Sequence, residues 1–193
     1  YKTYIAVINP SATTTANVTV TYYTGSCGAG GQAACQTEPF TLSPMRRVAV
    51  SPTDKGLHQK LAIAVTSSQP IIAERPLYFS DNIARAGGFT TGSATVIGAP
   101  NPGTDWLFAE GYTGIGFQTY YELANFGSTA ATASVKLEYT NGATQTVPVA
   151  VPAFGFAQFD VNAQQGNNPT SVSAEITSNQ PIVAQRLMYF HFS

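Results

Sequence analysis

The segment Gln69-Pro70-Ile71-Ile72-Ala73-Glu74-Arg75-Pro76-Leu77-Tyr78-Phe79 returns as Gln180-Pro181-Ile182-Val183-Ala184-Gln185-Arg186-Leu187-Met188-Tyr189-Phe190, with seven of eleven positions identical at an offset of 111 residues. Each copy begins at a Pro, which opens or edges a strand because it lacks a backbone donor. Each then runs on in β-favouring residues. With period two, Ile71, Ala73, Arg75, Leu77 and Phe79 fall on one face, and Ile182, Ala184, Arg186, Met188 and Phe190 on the matching one. A chain of 193 residues built on such a repeat is expected to hold two copies of one all-β module of roughly 95 residues each.

The rest of the chain repeats in the same order. Phe117-x-Thr119-Tyr120 answers Tyr1-x-Thr3-Tyr4, and Asn125 answers Asn9, at an offset of 116. Val135-x-Leu137-x-Tyr139 answers Val18-x-Val20-x-Tyr22 at 117, and Val149-x-Val151 answers Phe40-x-Leu42 at 109. The fall of eight places the extra residues of the first copy in the loop of Cys27 and Cys35. The second copy turns there through Asn141-Gly142, a two-residue hairpin signal. Tyr1–Ile8, Val18–Tyr22, Phe40–Leu42, Val48–Val50 and Leu61–Val65 alternate as strands, whereas Pro52–Gly56 reads as a loop. The connector from Asp81 to Gly116 holds Gly87-Gly88, Thr95-Val96-Ile97 and Trp106-Leu107-Phe108, and is apolar enough to add strands to both modules. Short strands between Gly, Pro and Asn turns, with no 3.6-residue apolar period, point to β-sandwiches spanning 1–99 and 100–193.

Trp106-Leu-Phe-Ala-Glu-Gly111, then Phe117-x-Thr-Tyr120, the Asn125 turn and Pro181-Ile-Val-Ala-x-Arg186-x-Met-Tyr-Phe190 resemble the tandem "W-x-F-A-E-G" repeats of secreted and cell-surface bacterial proteins. The resemblance covers nearly the whole chain. It implies an extracellular, immunoglobulin-like β module, arrayed in series, without an established catalytic role. Gln185 departs from the family's usual Glu, present at Glu74, and Phe126 from a common turn Pro, present at Pro10.

Charge narrows the partners. Nineteen charged residues, a net charge of −1 and no Lys/Arg cluster argue against nucleic acid and against anionic membrane surfaces. No apolar run reaches the roughly 18–20 residues of a membrane span. Ser, Thr, Ala and Gly stand where a cytosolic protein carries Glu and Lys, which suggests export. With neither an initiating Met nor a signal peptide, the chain is expected to be a processed product or an excised fragment. Cys27 and Cys35 have no His nearby and no second Cys pair, so zinc is not expected. A disulfide closing a Gly-rich hairpin fits an oxidising compartment and would contribute about 2.5 kcal/mol; two reduced, buried small residues are the alternative.

Catalytic patterns are sparse. His58 falls in a loop and His191 at the C-terminal edge, and no Gly-x-Ser-x-Gly elbow occurs. Gly114-Ile115-Gly116 lacks the third glycine of a dinucleotide site, and Asp160 with Asn162 offers too few oxygens for calcium. No enzyme activity, metal or cofactor is expected. Arg75 and Arg186 fall on the more apolar face of their strands, where a guanidinium needs a partner: a bound anion, a buried pair, or the sandwich edge. Arg186 is expected to pair with Glu110, and Arg75, with no upstream copy of the Trp106–Gly111 segment, to find another acceptor. The many Tyr and Phe residues suit either sugar stacking or subunit contacts. Asn17-Val18-Thr19 is a glycosylation sequon.

The leading expectation is an extracellular structural building block of a surface layer, stalk or filament. The alternative is a carbohydrate- or surface-binding accessory module of a larger secreted protein. Each module lacks one strand-like segment that the other has: Trp106–Gly116 has no counterpart in the first, nor Gly87–Ala99 in the second. The open edges so created would pair with copies of the chain or adjacent repeats in a linear array.

Overall fold

The computed structural model describes residues 1–25, 27–28, 35–83 and 88–190, with backbone alone at 81–83 and 88–90. The protein is all-β, 61% strand, with several antiparallel sheets and no α-helix among the described residues. It divides into two compact units. The first comprises Tyr1–Ser80 with Thr91–Pro100, the second Asp81–Thr90 with Asn101–Ser193.

The first unit contains β1 (Lys2–Thr3), β2 (Ile5–Ile8), β3 (Ala16–Tyr23), β4 (Gln36–Leu42), β5 (Arg47–Val50), β6 (Ala62–Ser67) and most of β7 (Ile72–Ile83) and β8 (Gly88–Ile97). One sheet has the order β1-β7-β2-β5, with β8 on the other edge of β7; the other has the order β4-β3-β6. Ile5, Val7, Val18, Val20, Tyr22 and Leu42, drawn from both sheets, form its core. The expected strand Tyr1–Ile8 breaks at Tyr4, whose N–H still bonds to the Pro76 carbonyl at 3.0 Å. The expected loop at Pro52 is a 3-10 turn, Pro52–Lys55, closed by Gly56 at φ 76°, a left-handed conformation that suits glycine.

The second unit contains β9 (Gly103–Phe108), β10 (Phe117–Asn125), β11 (Ala131–Tyr139), β12 (Thr144–Val151), β13 (Gly155–Asp160) and β14 (Val172–Phe190). The 19-residue β14 serves two ladders. It pairs with β11 from Val172 to Ser178 and with β10 from Val183 to Phe190. Pro181 therefore lies inside a continuous strand, at the hand-over between partners, where neither ladder needs its missing N–H. Pro39 and Pro148 sit in β4 and β12, each an edge strand paired on one side only. Leu123, Val135, Leu137, Val151, Ile176 and Ile182 are fully enclosed in this unit's core.

Matching hydrogen bonds define how the two copies correspond. The Asn17 N–H bonds to Ser68 Oγ at 3.0 Å, and the Thr132 N–H to Asn179 Oδ1 at 2.8 Å. Residue 16 pairs with 42, and 131 with 151. The offset on β3 and β11 is thus 115, and the Val18–Val135 alignment at 117 is a slip of two residues. A two-residue slip leaves every side chain on its own face, so periodicity could not detect it. With 109 holding on β4 and β12, the first copy's hairpin carries six extra residues rather than eight.

Both copies also carry a buried polar clip. Asn9, fully enclosed, donates to the Thr14 carbonyl (2.8 Å) and the Leu42 carbonyl (2.9 Å), and its Oδ1 accepts from the Ser11 N–H (3.1 Å). Asn125 donates to the carbonyls of Thr129 (2.8 Å) and Val151 (3.4 Å) and accepts from the Gly127 N–H (2.9 Å). A buried amide so satisfied ties the turn after one strand to the end of another strand that it does not pair with. Met45 (φ 54°) and Phe154 (φ 50°) recur at equivalent turns, a left-handed conformation unusual for large side chains. Their N–H groups bond to the Ser11 and Gly127 carbonyls, at 3.1 and 3.0 Å, in the loops the Asn side chains also hold.

Candidate functional site

The most elaborated region is the seat of β9 in the second unit. Trp106 and Leu107 pair with Ile176 and Glu175, and Phe108 with Ala174, along the edge of β14 opposite β11. The Trp106 indole N–H reaches the Ile182 carbonyl at 3.1 Å and the Gly103 carbonyl at 3.3 Å, satisfying backbone groups near the point where β14 changes partners. Phe108 packs on Tyr121 with ring centroids 4.9 Å apart. Gly111 ends the motif against Val172, whose N–H bonds to the Gly111 carbonyl at 2.9 Å. A Cβ at Gly111 would lie 3.1 Å from both Val172 Cγ1 and the Val172 carbonyl oxygen, a tight approach that favours glycine. The W-x-F-A-E-G signature is therefore a docking strand: two aromatic anchors, an acid and a glycine that lets the chain turn in close.

Arg186 lies beside this strand. Its Nη1 is 3.3 Å from Glu110 Oε2 and also donates to the Glu110 carbonyl oxygen. With side chains 29% and 68% exposed, the pair is at the surface, and its contribution is small, about 0–1 kcal/mol. Arg75, its repeat equivalent, is half-buried and has an interaction of its own. Beneath Arg186, the fully enclosed Tyr121 hydroxyl has no hydrogen-bond partner among the described residues. Desolvation pushes its pKa up to about 12, opposed in part by the Arg186 charge.

A groove of 720 Å³ opens next to Glu110, lined also by Tyr112, Phe117, Glu138 and Tyr139. Glu138 is bonded to Lys136 at 2.6 Å, which holds its carboxyl below the usual range, the opposite of what a general acid near neutral pH needs.

The remaining candidates are dispersed. Asp160 Oδ1 accepts from Gln118 Nε2 (2.8 Å) and the Ala163 N–H (3.2 Å). The buried Asn162 side chain accepts from the Thr119 N–H at Oδ1 (2.8 Å) and donates from Nδ2 to the Phe117 carbonyl (3.0 Å), so Asp160 and Asn162 brace the start of β10. Asn162, which sequence reading set aside as a calcium ligand, and the Asn9/Asn125 pair, which it read as plain turns, carry structural roles. The recurrence of Asn at offset 116 was the available signal for the latter. His58 is exposed and His191 lies outside the described residues. No group of three His, Cys, Asp or Glu side chains suited to a metal occurs among the described residues. Cys27 and Cys35 form a disulfide, with Cα atoms 4.7 Å apart. Asn17 lies exposed on β3. Among the described residues, no helix is long and apolar enough to cross a membrane.

Neither a protein-family model nor a curated protein matches the chain. Among solved structures, the Anabaena sensory rhodopsin transducer is similar at 28% identity over 42% of this chain and 91% of its own, with a TM-score of 0.37. A likeness at that score carries no argument about fold or function.

Proposed function

We propose that the protein is an extracellular structural building block, a surface-layer, stalk or filament component made of tandem immunoglobulin-like β-sandwich modules, and not an enzyme. The observation that carries this reading is complementary incompleteness. Among the described residues, the first unit has a three-stranded sheet, β4-β3-β6, where the second has β12-β11-β14-β9, and the second has no partner strand where β8 lies on β7 in the first. Repeated modules that lend strands to their neighbours suit a linear array, because a heterologous contact need not close. The disulfide suits an oxidising, extracellular setting. Resemblance to the W-x-F-A-E-G repeats points the same way.

Sedimentation velocity and light scattering of the native material at rising concentration test the reading. Self-association into extended species is expected; a stable, monodisperse 20.3 kDa monomer, with no longer repeat protein encoded by its gene, would sink it. The Tyr112, Phe117 and Tyr139 rings in the groove favour a second reading, a carbohydrate-binding accessory module, and a glycan array separates the two.

A further inference from the structure

The two units answer one another position for position along β6 and the first half of β14. The offset of 111 is fixed by Ser67 and Ser178, whose hydroxyls accept the Gln69 and Gln180 N–H groups. Leu61, Ile63, Val65 and Ile71 of the first unit thus correspond to Val172, Ala174, Ile176 and Ile182 of the second. All four residues of the second unit are buried; β9 pairs with Ala174, Ile176 and Ile182, and the Gly111 carbonyl beyond it takes the Val172 N–H. All four residues of the first unit are only half-buried, although Ile63 and Val65 lie opposite the fully enclosed Tyr22 and Val20 and share their core-facing side.

Backbone geometry makes the same distinction. β6 pairs with β3 alone and ends its sheet among the described residues. Its ladder places the Ser68 N–H on the Asn17 carbonyl at 3.0 Å. Because hydrogen-bonded and non-hydrogen-bonded pairs alternate in an antiparallel ladder, Ile63 and Val65 turn their N–H and C=O groups away from β3. Those two residues correspond to Ala174 and Ile176, the positions opposite Phe108 and Trp106.

We propose that the outer edge of β6, with the strip Leu61, Ile63, Val65 and Ile71, is an acceptor site for an extended segment of the W-x-F-A-E-G kind, supplied by a neighbouring repeat. The donor lies antiparallel to β6, its Phe against Ile63, its Trp against Val65, and its indole N–H near the Ile71 carbonyl. Main-chain bonds supply affinity, and the two aromatic anchors supply specificity and close the core. This deepens the building-block reading by naming what joins one module to the next.

The test uses the full-length protein and a synthetic peptide of residues 101–112, followed by amide hydrogen exchange. The expected result is saturable binding, with exchange at Ile63 and Val65 slowed at least about tenfold. A peptide carrying Trp106→Ala and Phe108→Ala is expected to bind at least about tenfold more weakly. Unchanged β6 exchange at saturating peptide overturns the proposal, as does protection confined to β14, which marks exchange with the protein's own β9. Protection of β6 that grows with protein concentration in the absence of peptide supports the proposal if added peptide competes with the association, and overturns the assigned donor if it does not, since the occupant is then another edge of a second copy. A chain that self-associates while β6 ignores the peptide removes the acceptor site and leaves the building-block reading standing. A chain that takes the peptide yet stays monomeric, with no longer repeat protein encoded, keeps the acceptor site and removes that reading.

Discussion

Replacing Asn125 probes what ties the loop after β10 to the end of β12 in the second unit. The side chain is fully enclosed and makes three hydrogen bonds: from Nδ2 to the carbonyls of Thr129 and Val151, and at Oδ1 from the Gly127 N–H. The 2.8 and 2.9 Å bonds are well formed, while the 3.4 Å bond to Val151 is long and contributes less. Asn125→Ala deletes all three. The Thr129 carbonyl is in an exposed turn and regains water, but the Val151 carbonyl stays enclosed. Two good bonds at about 1 kcal/mol each, with a smaller share for the long bond to Val151, whose carbonyl also faces Ala131 across the β11–β12 ladder, give a destabilisation of about 2 kcal/mol. Asn125→Asp is nearly isosteric and still accepts from Gly127, yet at neutral pH it turns an anionic oxygen toward two carbonyls. It is therefore expected to be less stable than Asn125→Ala at pH 7. Burial and the facing carbonyls raise the new carboxyl's pKa, so the deficit relative to wild type should shrink as pH falls and the protonated acid can donate one bond. Urea melts of the three proteins at pH 7 and pH 4.5 provide the assay. An Asp variant at least as stable as the Ala variant at pH 7, or a deficit independent of pH, would refute the assignment of Nδ2 as a buried double donor.

Three further outcomes follow from other contacts of the structure. Tyr121→Phe removes a hydroxyl without a described partner and should not destabilise, whereas Tyr22→Phe breaks a 2.9 Å bond to Glu38 and should cost about 1–2 kcal/mol. Tyr121's pKa is raised, so its contribution is complete below the ordinary value of 10.0 and is lost as pH climbs toward about 12, by about 2 kcal/mol at the upper end. Stability measured from pH 9 to pH 12 should thus fall less steeply in Tyr121→Phe, and parallel curves would contradict the burial argument. For Arg186 and Glu110, a double-mutant cycle with Arg186→Gln and Glu110→Gln should give a coupling below about 1 kcal/mol that weakens with salt. A salt-insensitive coupling above about 2 kcal/mol would place the pair in a drier setting than its exposure allows.

Much of the β character was open to reading in the primary structure because a strand writes its two faces into alternate residues. Ala16, Val18, Val20 and Tyr22 are all buried, and the residues between them are not. The face carrying Ile182 and Ala184 was foreseen for the same reason, but it did not continue as expected. Arg186 and Met188 are half-buried, Phe190 is 46% exposed, and Tyr189 on the opposite face is buried. Alternation states which side a residue takes and says nothing of where the core ends along that side.

The internal repeat and the strand faces were decided locally, by side-chain period and by the recurrence of residue types. Registry was decided only in three dimensions. Slips of two preserve every face, and hydrogen bonds such as Asn17 to Ser68 and Thr132 to Asn179 select one of them. The burial of Asn9 and Asn125, the hand-over at Pro181 and the difference between a covered β14 edge and an open β6 edge belong to the same class. Each depends on which distant backbone lies alongside, and residues of identical local pattern meet different neighbours.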